Sequence, residues 1–504
     1  MILFVLGVQM HQKISAQQIF SSQLHEIRIT TNSSTWFDTL QEYYNYALNG
    51  ADQRYIPIEI TLDGTTLQNV GFRFKGKYSN YGFPGKKKPF RLDFNEFVKG
   101  QDFQGLKKLN LNNLAGDPSF LREYMAYDMF RYLGIPVPRT SFCKLYINNF
   151  YWGCYEIVEE PDKRFLDENF GQHDGNLFEA IKSTELSWNG TDPDNYPELE
   201  LKTDSLSNSW ERILSWIDLV NNNHNYDFNQ QLQHQFDVAE YMRILATDVL
   251  INNHDSYASN RRNFFLYDNP QSEKIHWIPW DYNLSFWAYS PAIFPYIDSN
   301  KRQPLVQRFA EHSYLQETYF KSTCSLLDNE FHNYPFKERA YHMQSIIREA
   351  VLEDTLKFYN NEAFEANIDQ LVVVSMLRNN TPTDVYLPGI AYLFQKRKND
   401  LRKELFVSGC DCDNIQTTHE FHGDLFPNPA QNSLSVYLEE NLENVKSLPQ
   451  IQLIDLNGNV IYSTYQYPVM GKYQFDVSNF QEGIYYARIV SDDKIFIKKW
   501  VKTN

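Results

Sequence analysis

"NHDSYASNRRNFFLY", residues 253–267, is followed after a short polar turn by "KIHWIPWDYN", residues 274–283. The runs FFLY and IHWIPW are aromatic and β-branched and are bounded by Asn, Asp and Pro, so they read as two strands of one hairpin. The polar residues at their seams decide the reading. Asp255 lies in the loop before the first strand, Asn263 stands directly ahead of that strand, and Asp281 follows directly after the second. Paired strands carry their open ends together, so two carboxylates and an amide are predicted to converge. Any one of them alone would be read as a turn cap. Asp281 sits in "HWIPWDY", however, and a carboxylate among tryptophans needs a partner, for which a cation serves.

Upstream, "DVAEYMRILATDVLINN" reads as the helix that delivers the chain into this loop. Asp237 and Glu240 have the spacing of a capping box, and Val238, Met242, Leu245 and Val249 form an apolar stripe. The loop therefore starts from a rigid core element. Further upstream, "RFKGKYSNYGFPGKKKPFRLDF" holds Arg73, Lys75, Lys77, Lys86, Lys87, Lys88 and Arg91 with no acid among them, around three glycines. The whole chain carries 63 acidic against 47 basic residues, a net charge of −16. That balance argues against nucleic acid as a general partner, and it makes a local basic hairpin stand out. The combination is what phosphoryl transfer needs: a carboxylate near the attacking hydroxyl, oxygen ligands for magnesium, and cations on the phosphates. Lys88 opens the strand "PFRLDF" and is placed to aim a fixed ammonium, with Lys75, Lys77 and Arg73 as further candidates.

At 504 residues the chain exceeds what one core serves, so a large domain and a smaller one are expected. Residues 27–102 favour strands, with a turn at Asp63-Gly64. "DPSFLREYMAYDMFRYLGIPVP" reads as a helix with Asp117 as N-cap and Pro118 in its first turn, stopped by Gly134, with Leu121, Met125 and Met129 facing inward. "CKLYINNFYWGCYEIVEE" reads as a hairpin turning at Asn148-Asn149, and the remainder to residue 407 as mostly helical. This is an α+β layout in two lobes. The last eighty residues alternate strictly, with turns at Asn457-Gly458 and Asp492-Asp493, and read as a small all-β, Ig-like sandwich. We place a linker at 408–424, the large domain at 17–407, the sandwich at 425–504 and a signal peptide at 1–16, the last without the usual basic start. No stretch reaches the roughly 20 apolar residues of a membrane span. The five cysteines lack metal-site spacing, and their odd number leaves at least one thiol unpaired if pairing is internal.

Taken in order, "RFKGKYSN" with "KKKPFRLDF", "DPSFLREYMAYDMFRYLGIPVPR", "LYINNFYWGCYEIVEEPDKRFL", "NHDSYASNRRNFFLY" and "IPWDYNLSF" resemble the CotH family, the spore coat protein H type of atypical protein kinase. The resemblance spans roughly residues 27–406. It implies a divergent, two-lobed protein-kinase-like fold with a β-rich N-lobe, ATP with Mg²⁺ or Mn²⁺, and transfer of the γ-phosphoryl group to Ser or Thr of a protein substrate. It also implies Asp255 as the catalytic aspartate, Asn263 and Asp281 as metal ligands, and Lys88 as the phosphate lysine. Arg122 would be a further charge contact and Glu123 the lysine's partner, while Glu159, with Glu160, would border the nucleotide base. Asn260 competes with Asn263, because it stands five residues after Asp255. The basic hairpin is not the G-x-G-x-x-G of typical kinases, so the choice among Lys75, Lys77 and Lys88 stays open. The C-terminal part, with its FPNP opening and GIYY ending, is similar to the sorting domain of the type IX secretion system of Bacteroidetes-type bacteria. That implies the secretion machinery as a partner and a secreted or cell-surface protein. The competing expectation is a non-catalytic surface, assembly or adhesion protein that keeps the fold without turnover.

Overall fold

The computed structural model describes residues 18–203, 210–224, 228–287, 303–378, 381–407, 412, 423–438, 449–455, 460–465, 472–491 and 494–503. The expected signal peptide, most of the expected linker and the turns at Asn457-Gly458 and Asp492-Asp493 lie outside the described residues.

Seven strands open the chain: β1 (Leu24–Thr30), β2 (Ile56–Leu62), β3 (Thr65–Phe74), β4 (Phe90–Asp93), β5 (Lys108–Asn112), β6 (Thr140–Ile147) and β7 (Phe150–Glu159). They close into a barrel in the order β1-β2-β3-β4-β5-β7-β6. Neighbours run antiparallel except β1 and β6, which pair in parallel with Leu24 opposite Phe142 and Ile29 opposite Ile147. Mixed helix and strand is what the sequence predicts. Closure is not foreseen, because it depends on a pairing between segments more than a hundred residues apart. Inside lie alternate side chains of each strand, among them Ile27, Ile60, Leu62, Phe72, Phe90, Leu109, Leu111 and Ile157. Trp36 and Leu40 of the helix Trp36–Leu48 are buried against this core, Trp36 lying edge-on to Trp152. The predicted turns hold, with left-handed backbone at Asp63-Gly64 and Asn148-Asn149 that Asn, Asp and Gly adopt at little cost.

Between β5 and β6 runs the helix Arg122–Tyr132. It begins four residues later than its sequence signals suggest. Phe120 takes a left-handed conformation that breaks the turn begun at Asp117, and the Asp117 carboxylate instead reaches forward to accept the backbone N–H of Arg122 at 2.7 Å. Gly134 ends the helix as expected, at φ 72°. The predicted helix Val238–Leu250 is present, with Asp237 accepting from the Glu240 N–H at 3.1 Å. Its stripe enters the large core of the helical half. A second sheet adjoins it, built from β8 (Asn176–Ala180), β9 (Leu199–Leu201), β10 (Phe264–Asn269) and β11 (Lys274–Pro279) in the order β11-β10-β8-β9. The predicted hairpin is therefore β10–β11, with Phe264 opposite Pro279. The mostly helical remainder also holds a two-stranded hairpin, Val372–Arg378 with Thr381–Leu387.

The C-terminal region forms sheets of three and four strands around one cluster that includes Val436, Leu453, Ile489 and Trp500. The strands that flank both expected turns pair antiparallel. Cys324 and Cys412 form a disulfide, whereas Cys143 and Cys154 are free and buried in the barrel.

Candidate functional site

The loop after Val238–Leu250 is fastened before it carries any chemistry. The Asp248 carboxyl, raised by burial to about 7, is approached by the Asn253 amide at 3.4 Å. The His254 N–H donates to the Leu284 carbonyl at 3.2 Å and the Phe286 N–H to the Ile251 carbonyl at 2.6 Å. These bonds tie the loop to the segment that follows Asp281. The Asp255 carboxylate then accepts two amides, Asn260 Nδ2 on Oδ1 at 3.0 Å and Asn263 Nδ2 on Oδ2 at 3.1 Å. Asn263 Nδ2 also lies 3.3 Å from the Asp281 carbonyl, so it joins the loop to the end of β11. Asn260 makes its other bond to His254 within the same loop, at 2.9 Å. The two asparagines thus differ: Asn260 braces the loop, and Asn263 links the Asp255 carboxylate to the Asp281 backbone. Asn263 and Asp281 both have left-handed backbones, at φ 64° and 54°, which short polar residues tolerate best.

The neighbouring helix fixes the second acid. The Asp281 N–H donates to the Tyr127 hydroxyl at 2.9 Å and the Tyr282 N–H to Glu123 Oε1 at 3.3 Å, both from Arg122–Tyr132. Glu123 Oε2 accepts from Asn112 Nδ2 at 2.7 Å, and Asn112 Oδ1 accepts from Lys75 Nζ at 2.9 Å. Lys75 follows directly on β3 and lies 5.7 Å from the ring centre of Trp280. It is the basic-hairpin residue whose charge acts on Asp281. A small polar cavity of about 40 Å³ is lined by Lys75, Asn112, Asp117, Glu123, Glu156 and Asp281. Burial raises the Asp281 carboxyl above the usual range; Lys75 opposes this and Asp255 adds to it. Glu123 is raised too, by burial and by Asp281, with Lys75 and Asn112 opposing. Lys75 is lowered by burial, against the pull of Asp281 and Glu123. Glu156 is raised well above its ordinary value, by burial and then by Glu123, and its Oε1 is buried without a partner. Carboxylates outnumber the one ammonium, so the electrostatics favour an added cation. The donor set at the seam is oxygen only, the Asp281 carboxylate with the Asn263 amide. Among the described residues no cluster of three His, Cys, Asp or Glu has metal-binding placement. One carboxylate and one amide suit a hard ion that keeps several waters, such as Mg²⁺, and do not suit structural zinc.

Other predicted residues are placed differently. The Lys88 ammonium is not brought to the carboxylates; it is buried and donates to the carbonyls of Asn80 at 2.6 Å and Phe83 at 3.2 Å. Arg122 is fully buried and spends its guanidinium on the Ser285, Phe286 and Pro388 carbonyls and on Asn367. It therefore holds the segment after Asp281 in place. Arg73 donates to the Phe74 carbonyl and stacks on Tyr55, and Lys77 is exposed. Glu159 is paired with Arg139. Burial would raise Glu160, but the Arg91 guanidinium beside it and the Asn110 amide carry it down to about 2. Arg261 pairs with Glu185 at 2.6 Å, while Arg262 is exposed. Asn112, Tyr127 and Glu156 join the site without having been predicted. "KLNLN" carried a usable signal for Asn112, since Leu109 and Leu111 face the barrel core and the alternate asparagines must face out of it. Glu156 is a carboxylate flanked by apolar and aromatic residues in the middle of β7, which also marks it. Nothing local marks Tyr127.

Comparison with known proteins bears on this arrangement. The model of the family described as CotH kinase protein matches residues 72–381, more than half of the chain, and that of the secretion system C-terminal sorting domain matches residues 424–503. The inner spore coat protein H of Bacillus subtilis (strain 168) is 24% identical over 305 residues, covering 59% of this chain and 82% of that protein. A solved structure of PorZ, a surface component of the type-IX secretion system of Porphyromonas gingivalis, matches at 12% identity. It covers 16% of this chain and 11% of its own, with a TM-score of 0.13, too little to carry an argument.

Proposed function

We propose, from the premise that this chain belongs to the CotH kinase protein family, that it is an exported protein kinase that transfers the γ-phosphoryl group of ATP to Ser or Thr hydroxyls of proteins. Its C-terminal sorting domain marks it for export and the cell surface through the secretion machinery, and no helix among the described residues is long and apolar enough to cross a membrane. In this reading the barrel half and the helical half stand for the two lobes of a divergent kinase. The observation that carries it is the convergence of Asp255, Asn263 and Asp281, joined by one amide, with Lys75 acting on Asp281.

Asp281 and Asn263 would hold the divalent cation, Mg²⁺ or Mn²⁺, which offsets charge on the phosphates. Lys75, held through Asn112 to Glu123, would meet the phosphates; Lys88 is occupied elsewhere. Asp255, oriented by Asn260 and Asn263, would position the acceptor hydroxyl. As the acceptor oxygen bonds to phosphorus, the bond from phosphorus to the ADP oxygen breaks and the hydroxyl proton passes to Asp255.

Intact mass after incubation with ATP and Mg²⁺ or Mn²⁺ tests this directly. A gain of one phosphate, on the chain itself or on an added protein, is expected. No gain, together with no nucleotide-induced thermal shift, would leave a non-catalytic surface or assembly protein. Calorimetry with Asp281→Ala should show metal-dependent ATP binding abolished, and binding that survives would sink the metal assignment. Asp255→Ala should keep ATP binding while turnover falls by roughly 10² to 10⁴.

A further inference from the structure

A second, larger cavity of about 350 Å³ opens on the other side of Lys75. One wall is the helix Trp36–Leu48 with the residues after it, including Tyr43, Tyr44 and Arg54. The other wall is the end of β3 and the start of the basic hairpin, with Lys182 closing the rim. Tyr44 pins the two walls together by donating its hydroxyl to the Gly76 carbonyl at 2.9 Å. Five cations line the space, Arg54, Arg73, Lys75, Lys77 and Lys182, and no carboxylate does. In a chain with 63 acids and 47 bases, that is a marked local reversal. Arg54, Lys77 and Lys182 are exposed and have no ion pair within 4 Å among the described residues. Arg73 is more than nine-tenths buried, yet its Nε has no hydrogen-bond partner. Three exposed, unpaired cations around a hollow that holds no carboxylate favour an anion.

One placement bears on which anion. Lys182 is followed by Ser183 and Thr184, whose hydroxyl and N–H donate to the carbonyls of Asn260 and Arg261 at 3.4 and 2.6 Å. Asn260 in turn holds Asp255. The loop that would receive the acceptor hydroxyl is thus tied to the residues next to Lys182 on the cavity's lining, and the cavity shares Lys75, the proposed phosphate lysine. We propose that it receives the acidic side chains of the acceptor polypeptide and so directs the chain to hydroxyls flanked by negative charge. The direction of transfer rests on the function proposed above; the binding does not.

The test measures binding without nucleotide. Four fluorescein-labelled peptides of equal length are compared by anisotropy at low salt: a serine flanked by Asp and Glu, the same serine flanked by phosphoserines, a Gln/Asn version and a Lys/Arg version. At least one acidic peptide should bind roughly tenfold more tightly than the neutral one, and the ranking of the two shows whether carboxylate or phosphate is the preferred anion. Arg54→Ala combined with Lys182→Ala, both at exposed positions, should erase that difference and leave Mg-ATP affinity at the wild-type value. Equal binding of all four peptides overturns the proposal, as does an acidic preference that survives the double substitution. Loss of Mg-ATP binding in the double variant also overturns it, because the cavity would then belong to the nucleotide. A chain that binds acidic peptides yet gains no phosphate from ATP would refute the kinase reading while leaving the cavity's role intact.

Discussion

The basic segment leaves the barrel along β3 and returns along β4, and its two limbs use their charge in opposite ways. On the outgoing limb Lys75 faces Glu123 and Asp281 across the cleft, with Arg73 and Lys77 lining the cavity beside it. On the returning limb Lys87 is sealed against Asp354, Lys88 is capped by two carbonyls and Arg91 is paired with Glu160. In sequence these residues differ little, since both limbs are Lys-rich and border glycines. In the fold the first limb lies at the mouth of the cleft and the second passes between the barrel and the chain near Asp354, where an unpaired ammonium could not stay charged. Charge counted along a chain therefore measures supply, and burial decides how much is free to meet a ligand.

That contrast can be broken by substitution. Lys87→Met should have the largest effect, about 3–5 kcal/mol of lost stability in a urea melt, because Asp354 is left buried and unpaired. An unchanged midpoint would show that the returning limb is not structural. Lys75→Ala should cost less stability than Lys87→Met, because its ammonium donates to an amide and not directly to a carboxylate, while phosphoryl transfer falls roughly a hundred- to a thousandfold in a radiolabel assay. A stable variant with full turnover would remove Lys75 from the reaction. Lys88→Met should cost about 1–3 kcal/mol of stability, from two stranded carbonyls, with little change in KM for ATP; a large rise in KM would return Lys88 to the phosphates. The smallest effect concerns pH. Asp281 is raised above the ordinary carboxylate range near pH 4, so protons compete there with a metal. Calorimetric Mg-ATP affinity should rise with pH from about 4, by at most about tenfold per unit, and level off above the raised pKa. Asp281→Asn should flatten the profile, and an equally steep profile in that variant would assign the proton to another group.

How far the sequence could be read follows from how local each feature is. Asp255, Asn263 and Asp281 were legible as a set because each stands at the edge of a helix or strand within thirty residues, and a hairpin register closes the distance between them. Helix Val238–Leu250 and its cap were legible for the same reason. Arg122 was not: it was expected at the nucleotide, yet its partners Ser285, Asn367 and Pro388 lie 163 to 266 positions away. The start of its helix was missed because the left-handed turn at Phe120 has no local signature. Barrel closure and the cationic cavity depend on β1 meeting β6 and on the helix Trp36–Leu48 reaching the hairpin at Gly76.

By itself, then, the sequence determined the helix Val238–Leu250, the hairpins at Asp63-Gly64, Asn148-Asn149 and β10–β11, the β-rich C-terminal part and the order of the polar residues at the seam, since periodicity, caps and turns act over a few residues; the helix Trp36–Leu48 within the stretch expected as strands, and the strands β8 and β9 within the part expected as mostly helical, were not foreseen. Only the tertiary structure decided which lysine is free, which arginine is buried and where a cavity opens. Those outcomes are set by desolvation and by partners distant in the chain, and no short window of residues contains either.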